Sequence, residues 1–388
     1  MMMIPYGKQS INEDDLNSVI EVLKSDFLTQ GPVVEKFENA IASYCNAKYA
    51  VSVSNATAAL HLSCLALGLR KGKLGWTTPN TFVATSNSVL YTGADIDFVD
   101  IDPNSYNISL NELKKKLAEV KAKGKVPDVL LPVHFSGQSC EMEEIYQLSK
   151  EYGFHIIEDA SHAIGAKYNN KPVGNCEYSD LTVFSFHPVK IITTGEGGVI
   201  TTNRKDLYDL LIRLRSHGIT RNPELMTKEP DGEWYYQQIE LGYNYRLTEL
   251  QAALGLSQLK RLDEFVLRRN QIAERYNTLL KDFPIKLPTL LTKNYSSYHL
   301  YVIQIDESKC KKGHKEVFSG LRKNGIGVQL HYIPVHTQPY YQSIGFKIGS
   351  FPESEAYYGA AISLPVYFDL KESEQDKVVE TLKVCLGS

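Results

Sequence analysis

The sequence predicts an α/β fold, with a mostly parallel central sheet in a large domain and a smaller α+β domain at the C-terminal end. Three observations point to it. From about Lys48 onward, short β-rich runs alternate with helical patterns, the order that builds strand–helix–strand crossovers. Several of those runs are apolar throughout, as strands covered on both faces are. After one long helical pattern the rhythm changes to strand, helix, strand.

The first run is residues 49–53 (YAVSV), and a helix over 57–67 follows at once. Further strands are expected at 95–99, 128–133, 154–158, 181–186 and 197–202. Helices over 110–120 and 141–152 have apolar residues at three- and four-residue intervals. Such crossovers gather ligand loops at the carboxyl ends of the strands. The stretch 218–242, rich in charge and holding Pro223, Pro230 and Gly232, is expected to be a long surface loop. A long helix over 247–276, with Leu250, Leu254, Leu259, Leu262 and Phe265 on one face, leads to the second domain. There a strand at 298–305, a helix at 314–324 and a strand at 327–332 are expected. The resulting division is 1–245 for an N-terminal segment and the large domain, and 246–388 for the bridging helix and the small domain.

A chain of 388 residues with 43% hydrophobic content can bury a core of this size. Its 42 Lys and Arg against 45 Asp and Glu leave a net charge of -3, too balanced to attract nucleic acid or an acidic membrane. The six cysteines show no C-x-x-C pair or metal-type spacing, so free thiols in a reducing cytoplasm are expected and a metal site is not. The opening MMMIPYGKQS lacks the basic and apolar regions of an export signal, and no run is apolar enough to span a membrane.

Three places carry chemistry. Lys190 follows the strand at 181–186 and precedes a glycine-rich turn, so it is expected at a strand end facing a cleft. A lysine there can bond an aldehyde cofactor and, once released, move protons as a general base; an ordinary lysine at such a place is simply solvated. Asp159 ends the run at 154–158, where it either faces a ligand or caps the following turn. In VSVSNATAAL a strand runs through Ser54, Asn55, Ala56 and Thr57 into a helix, whose first amides suit a phosphate or need only a cap.

Taken in order, SNATAAL, TPNTFVAT, EDASHA, SFHPVK with TTGEGG, and GYNYRLTELQAALGLSQL resemble the sugar-nucleotide aminotransferase family of fold type I pyridoxal phosphate (PLP) enzymes. The resemblance covers nearly the whole chain. It implies that Lys190 carries the cofactor, that Asp159 faces its pyridine nitrogen, and that Phe82 stacks on its ring. It further implies phosphate contacts from Ala56, Thr57 and Ser185, and from Asn244 in the site of a neighbouring subunit, hence a homodimer with shared sites. His162 stands where the family commonly has a glutamine that bonds the phenolic oxygen; a histidine satisfied by backbone is the other reading.

The segments holding Tyr6, LTQGP with Thr29, and the Tyr and His residues 298, 299, 331, 332, 336 and 340 resemble the family's sugar-recognition parts, with His331 and Tyr332 favoured. By the same resemblance the amino donor is glutamate. The acceptor is the 4-keto group of a nucleotide-linked 6-deoxy sugar, closest to the UDP-2-acetamido-2,6-dideoxy-4-keto-hexose of the pseudaminic acid branch. Another UDP-, dTDP- or GDP-4-keto-6-deoxyhexose is the alternative. A PLP-dependent sugar dehydratase of this fold typically has histidine at the lysine position, and Lys190 argues against it.

Overall fold

The computed structural model describes residues 3–121 and 124–387. The first two residues of the MMMIPYGKQS run, and residues 122, 123 and 388 of the two expected domains, lie outside that description. The central sheet has seven strands: β1 (Tyr49–Val53), β2 (Leu74–Thr77), β3 (Asp95–Phe98), β4 (Val129–Leu130), β5 (His155–Asp159), β6 (Leu181–Ser185) and β7 (Gly198–Thr202), in the spatial order β1-β7-β6-β5-β4-β2-β3. The strands β2 to β6 run parallel, and β7 is antiparallel to its neighbours β6 and β1, as the mostly parallel sheet requires. Strand β1 therefore points the same way as β5 and β6, and the chain leaves all three at one edge. At that edge Gly198 opens β7 directly opposite Val53 and Ser185.

Helices cover the sheet. They are α1 (Glu13–Leu23), α2 (Pro32–Cys45), α3 (Ala56–Ala66), α4 (Val83–Tyr91), α5 (Leu110–Lys121), α6 (Met142–Tyr152) and α7 (Lys205–Leu214). One core joins α3 to Val183, Ile157 and Ile200; a second, around Trp76 and Ile156, lies under α5 and α6. Neither α1, α2, α4 nor β2 is marked by the sequence patterns above.

The expected helix over 247–276 is two helices, α8 (Glu249–Leu259) and α9 (Leu262–Leu280). A tertiary clasp holds the break: Gln258 Nε2 and Arg261 Nη2 both donate to Asp15 Oδ2 at 2.6 Å, and both reach the carbonyl of Ser10. The apolar face continues through the break, so periodicity alone does not reveal it. The start of α9 (Leu262, Phe265, Val266) packs with Phe37 and Phe186 of the large core, and its later turns (Ile272, Tyr276, Leu280) pack with the C-terminal core.

That second core lies on a three-stranded antiparallel sheet, β8 (Ile285–Lys286), β9 (Tyr301–Ile305) and β10 (Ala361–Leu364), with α10 (His314–Lys323) and α11 (Glu372–Leu386) against it. Ile4 from the chain's start is part of it. The strand expected at 327–332 is absent as a ladder and makes a single bridge, Gln329 with Ser363. The strand expected at 128–133 is regular only over Val129–Leu130; Pro132 has no amide to donate, and Val133 makes one further bridge to Asp159. The stretch 218–242 is largely exposed and carries one two-residue ladder, Ile219–Thr220 with Gln237–Gln238. Among the described residues no helix is long and apolar enough to cross a membrane, and no group of three or more His, Cys, Asp or Glu is set to hold a metal ion.

Candidate active site

A cavity of about 1100 Å³ opens where β1, β5 and β6 end, and it is lined by Tyr6, Ala56, Thr57, Phe82, Asp159, His162, Ser185, Lys190, His331 and Tyr332. Ten sequence-predicted residues thus meet in one place, from segments spread over more than three hundred positions. Lys190 sits in the turn after β6, its amide donating to the carbonyl of His187 at 2.8 Å. Burial lowers its ammonium to about 8, against the opposing pull of the Asp159 charge. At neutral pH it therefore holds more of the free base than a surface lysine.

Asp159 is the last residue of β5 and 4% exposed. Its Oδ2 accepts from Thr85 Oγ1 at 2.6 Å, and Oδ1 accepts from Ser161 Oγ at 2.6 Å and from the Ser161 amide at 3.1 Å. The turn-capping bond of the alternative reading is present, but no helix follows, and the carboxylate still lines the cavity. Thr85 is itself set by Thr81 Oγ1 at 2.7 Å, which ties the carboxylate to α4.

The start of α3 forms another wall. Asn55 caps the helix, its Oδ1 accepting from the Ala58 amide at 2.8 Å. The amides of Ala56 and Thr57 come earlier in the first turn, where a helix supplies no acceptor, and they stand at the cavity. Gly198 makes this arrangement possible. A Cβ there would lie 2.7 Å from Ala56 N and from Asn55 C, so only a residue without one lets β7 and the helix start approach so closely.

The remaining wall comes from C-terminal segments. Lys190 Nζ lies 3.4 Å from His299 Nε2, and the ring of His299 is 4.4 Å from that of His162. His162 accepts at Nδ1 from the Ser136 amide (3.3 Å), and its Nε2 is 3.0 Å from the Tyr332 hydroxyl. His331 Nδ1 is 2.8 Å from Ser363 Oγ, and its ring is 5.4 Å from that of Tyr6. Burial first, and the Lys190 charge second, hold His162, His299 and His331 below the usual histidine range, His331 at about 3. The wall is a set of neutral imidazoles.

Two predicted residues do not reach this cavity. Thr29 is bridged to Thr248, and Asn244 is exposed, with its backbone bridged to Ser216. Of the other Tyr and His residues, His336 is buried and paired with Glu355 at 2.8 Å, and Tyr340 is 59% exposed. Thr85 and Ser161, which hold Asp159, and Arg269, which holds His299, are not among the residues expected from the sequence. Arg269, 2% exposed, donates through Nη1 to the carbonyls of Tyr298, His299 and Val366 at 3.2, 3.3 and 3.1 Å. Nothing local marks it, because its partners are backbone groups from elsewhere in the chain.

Residues 9–383 match the model of the DegT/DnrJ/EryC1/StrS aminotransferase family. The chain is 39% identical over 385 residues to the UDP-4-amino-4,6-dideoxy-N-acetyl-beta-L-altrosamine transaminase of Campylobacter jejuni subsp. jejuni serotype O:23/36, covering 98% of this chain and 96% of that one. Among solved structures it is similar to Helicobacter pylori PseC, an aminotransferase involved in the biosynthesis of pseudoaminic acid, with a TM-score of 0.90 and 31% identity over 99% of each chain. The PLP form of the putative sugar aminotransferase Spr1654 from Streptococcus pneumoniae superposes with a TM-score of 0.89 at 26% identity, again over 99% of each chain.

Proposed function

We propose, from the premise that this chain belongs to the DegT/DnrJ/EryC1/StrS aminotransferase family and is a fold type I, PLP-dependent sugar aminotransferase acting on nucleotide sugars, that its acceptor is UDP-2-acetamido-2,6-dideoxy-4-keto-hexose and its donor glutamate. The reaction delivers the amino group to C4 of the sugar. The observation that carries the reading is the meeting of Lys190, Asp159 and the α3 start in one cavity beside the His331 and Tyr332 wall. Support for the sugar comes from the Campylobacter relative, a UDP-amino-sugar transaminase, and the Helicobacter relative, an aminotransferase of pseudoaminic acid biosynthesis.

The residues present fit the cofactor. The two α3 amides and the Ser185 hydroxyl are donors suited to its phosphate, and they stand where Gly198 leaves room. Asp159 offers the anion its pyridinium nitrogen needs, Phe82 an exposed aromatic face, and Lys190 the amine. When bound, the cofactor supplies an electron sink for the pair left behind by a departing proton. Lys190, which burial gives a larger free-base fraction at neutral pH than a surface lysine has, takes that proton from the amino donor's α-carbon and returns one to C4 of the sugar. Asp159, fixed by Thr85 and Ser161, keeps its charge aimed into the cavity throughout. His331, Tyr6 and Tyr332 receive the sugar, and the neutral imidazoles leave Lys190 as the cationic amine of that wall.

The reading also takes the chain as a cytoplasmic homodimer in which Thr29 and Asn244 serve the partner's cavity, and it divides the chain at residue 246 into large and small domains. The test is amino transfer from glutamate, with added PLP, to a panel of UDP-, dTDP- and GDP-linked 4-keto-6-deoxy sugars. The UDP-2-acetamido sugar should give the highest kcat/KM. A dTDP or GDP sugar turning over faster would reassign the substrate, and transfer from another amino acid alone would reassign the donor.

A further inference from the structure

His162 has both ring nitrogens occupied by the protein, and the order of those bonds fixes where a proton points. The Ser136 amide can only donate, so Nδ1 of His162 must be its bare acceptor. A neutral ring then has its proton on Nε2, 3.0 Å from the Tyr332 oxygen, and donates to it. Burial favours that neutral ring, as does the Lys190 charge. The Tyr332 hydroxyl accepts from His162 and so cannot donate back. Among the described residues it has no second hydrogen-bond partner, although the residue lines the cavity beside Lys190 and Asp159. Burial and the Asp159 charge push its phenol up, so it remains a donor. The rest of the residue is fixed too: its amide donates to Oδ1 of the fully buried Asn80 at 3.3 Å.

We propose that Tyr332 is a directed hydrogen-bond donor into the cavity, set in that sense by the chain Ser136 amide to His162 to Tyr332, and that it meets an acceptor oxygen of the bound ligand. With the ligands of the proposed function, on which this identification rests, that oxygen is the phenolic oxygen of PLP or the keto oxygen of the sugar. His162 is then a positioning residue that acts through Tyr332.

The polarity can be measured without any ligand. In protein labelled with 15N-histidine, His162, assigned by the signal lost in His162→Gln, should show an unprotonated Nδ1 and a protonated Nε2. The reverse tautomer overturns the proposal whatever the enzyme's substrate, whereas a wild type inactive with every nucleotide sugar would sink the proposed function and leave the tautomer standing. Tyr332→Phe then removes one oxygen and keeps the ring. If the acceptor belongs to the cofactor, PLP alone binds roughly tenfold more weakly and its absorption maximum shifts. If it belongs to the sugar, PLP binding is unchanged, the glutamate half-reaction is intact, and KM for the UDP-4-keto sugar rises roughly tenfold. A Tyr332→Phe protein that changes neither readout overturns the donor. His162→Leu should reproduce the loss and His162→Gln, which still offers an N–H, should restore most of it; a harmless His162→Leu would overturn the relay.

Discussion

Lys190 faces three neutral imidazoles, and Asp159 is the carboxylate that raises it against burial, so its charged form has little to favour it in the protein without cofactor. An unfolded chain protonates this lysine up to about pH 10.4, and the folded one only to about 8. Between those values the unfolded state binds more protons, so stability rises with pH there, and the burden is greatest below about 8. Lys190→Met should therefore melt higher than wild type at pH 7, both without cofactor, with the gap closing as pH approaches 10. Calorimetry across that range checks it, and a gap independent of pH would remove the buried charge as its cause. Asp159→Asn makes the companion test. An asparagine can still accept from Thr85 or Ser161, so the fold should hold, while turnover in both half-reactions falls roughly a hundredfold, about 2.7 kcal/mol of barrier, because the ring nitrogen loses its anion. Stopped-flow rates near wild type would leave Asp159 as a turn cap.

At the scale of elements, the contact between β7 and the start of α3 is the tightest part of the proposed phosphate site. Gly198→Ala puts a methyl against Ala56 N and Asn55 C at 2.7 Å, and because both obstacles are backbone the helix start must move. The expected cost is about 1–3 kcal/mol of stability, with PLP affinity reduced roughly tenfold or more, read by titration of cofactor-free protein. Unchanged affinity would place the phosphate elsewhere. The same elements show what the sequence discloses. Strands β1, β5, β6 and β7 and helices α3, α5 and α6 are legible because each buries an apolar run in a regular period, and Lys190, Asp159 and the Asn55 cap are legible because they sit where such runs stop. Strand β2 is only four residues long with Gly75 inside, too short to show a period. The gap between α8 and α9 and the irregular path through 327–332 are set by distant partners, Asp15 in one case and Ser363 in the other, which no local window contains. The directed proton of Tyr332 depends on Ser136, a residue no motif includes.

For the whole molecule, the two predicted residues that miss the cavity of their own chain make the sharpest case for a shared site. A verified heterodimer of Lys190→Ala and Asn244→Ala chains should regain activity that neither homodimer has, since one of its sites collects the intact lysine of one chain and the intact asparagine of the other. No recovery in that heterodimer, given an inactive Asn244→Ala homodimer, would count against a shared site. The carboxylate of Glu249 gives this arrangement a mechanical consequence. It accepts from the amides of Gly31, Val33 and Val34 at 3.0, 2.7 and 3.2 Å, and Thr29 is bridged to Thr248 beside it, so the loop of Thr29 and the segment of Asn244 are riveted into one rigid tile. Glu249→Gln replaces one accepting oxygen with a donor and should loosen the tile at a cost of about 1–3 kcal/mol. In heterodimers with Lys190→Ala, the damage should register across the boundary. A Glu249→Gln chain that keeps its lysine, paired with a Lys190→Ala chain whose tile is whole, would work nearly as well as the same pair without the glutamine. Placing both changes on the Lys190→Ala chain would silence the only lysine left, in a chain that carries no mutation at all.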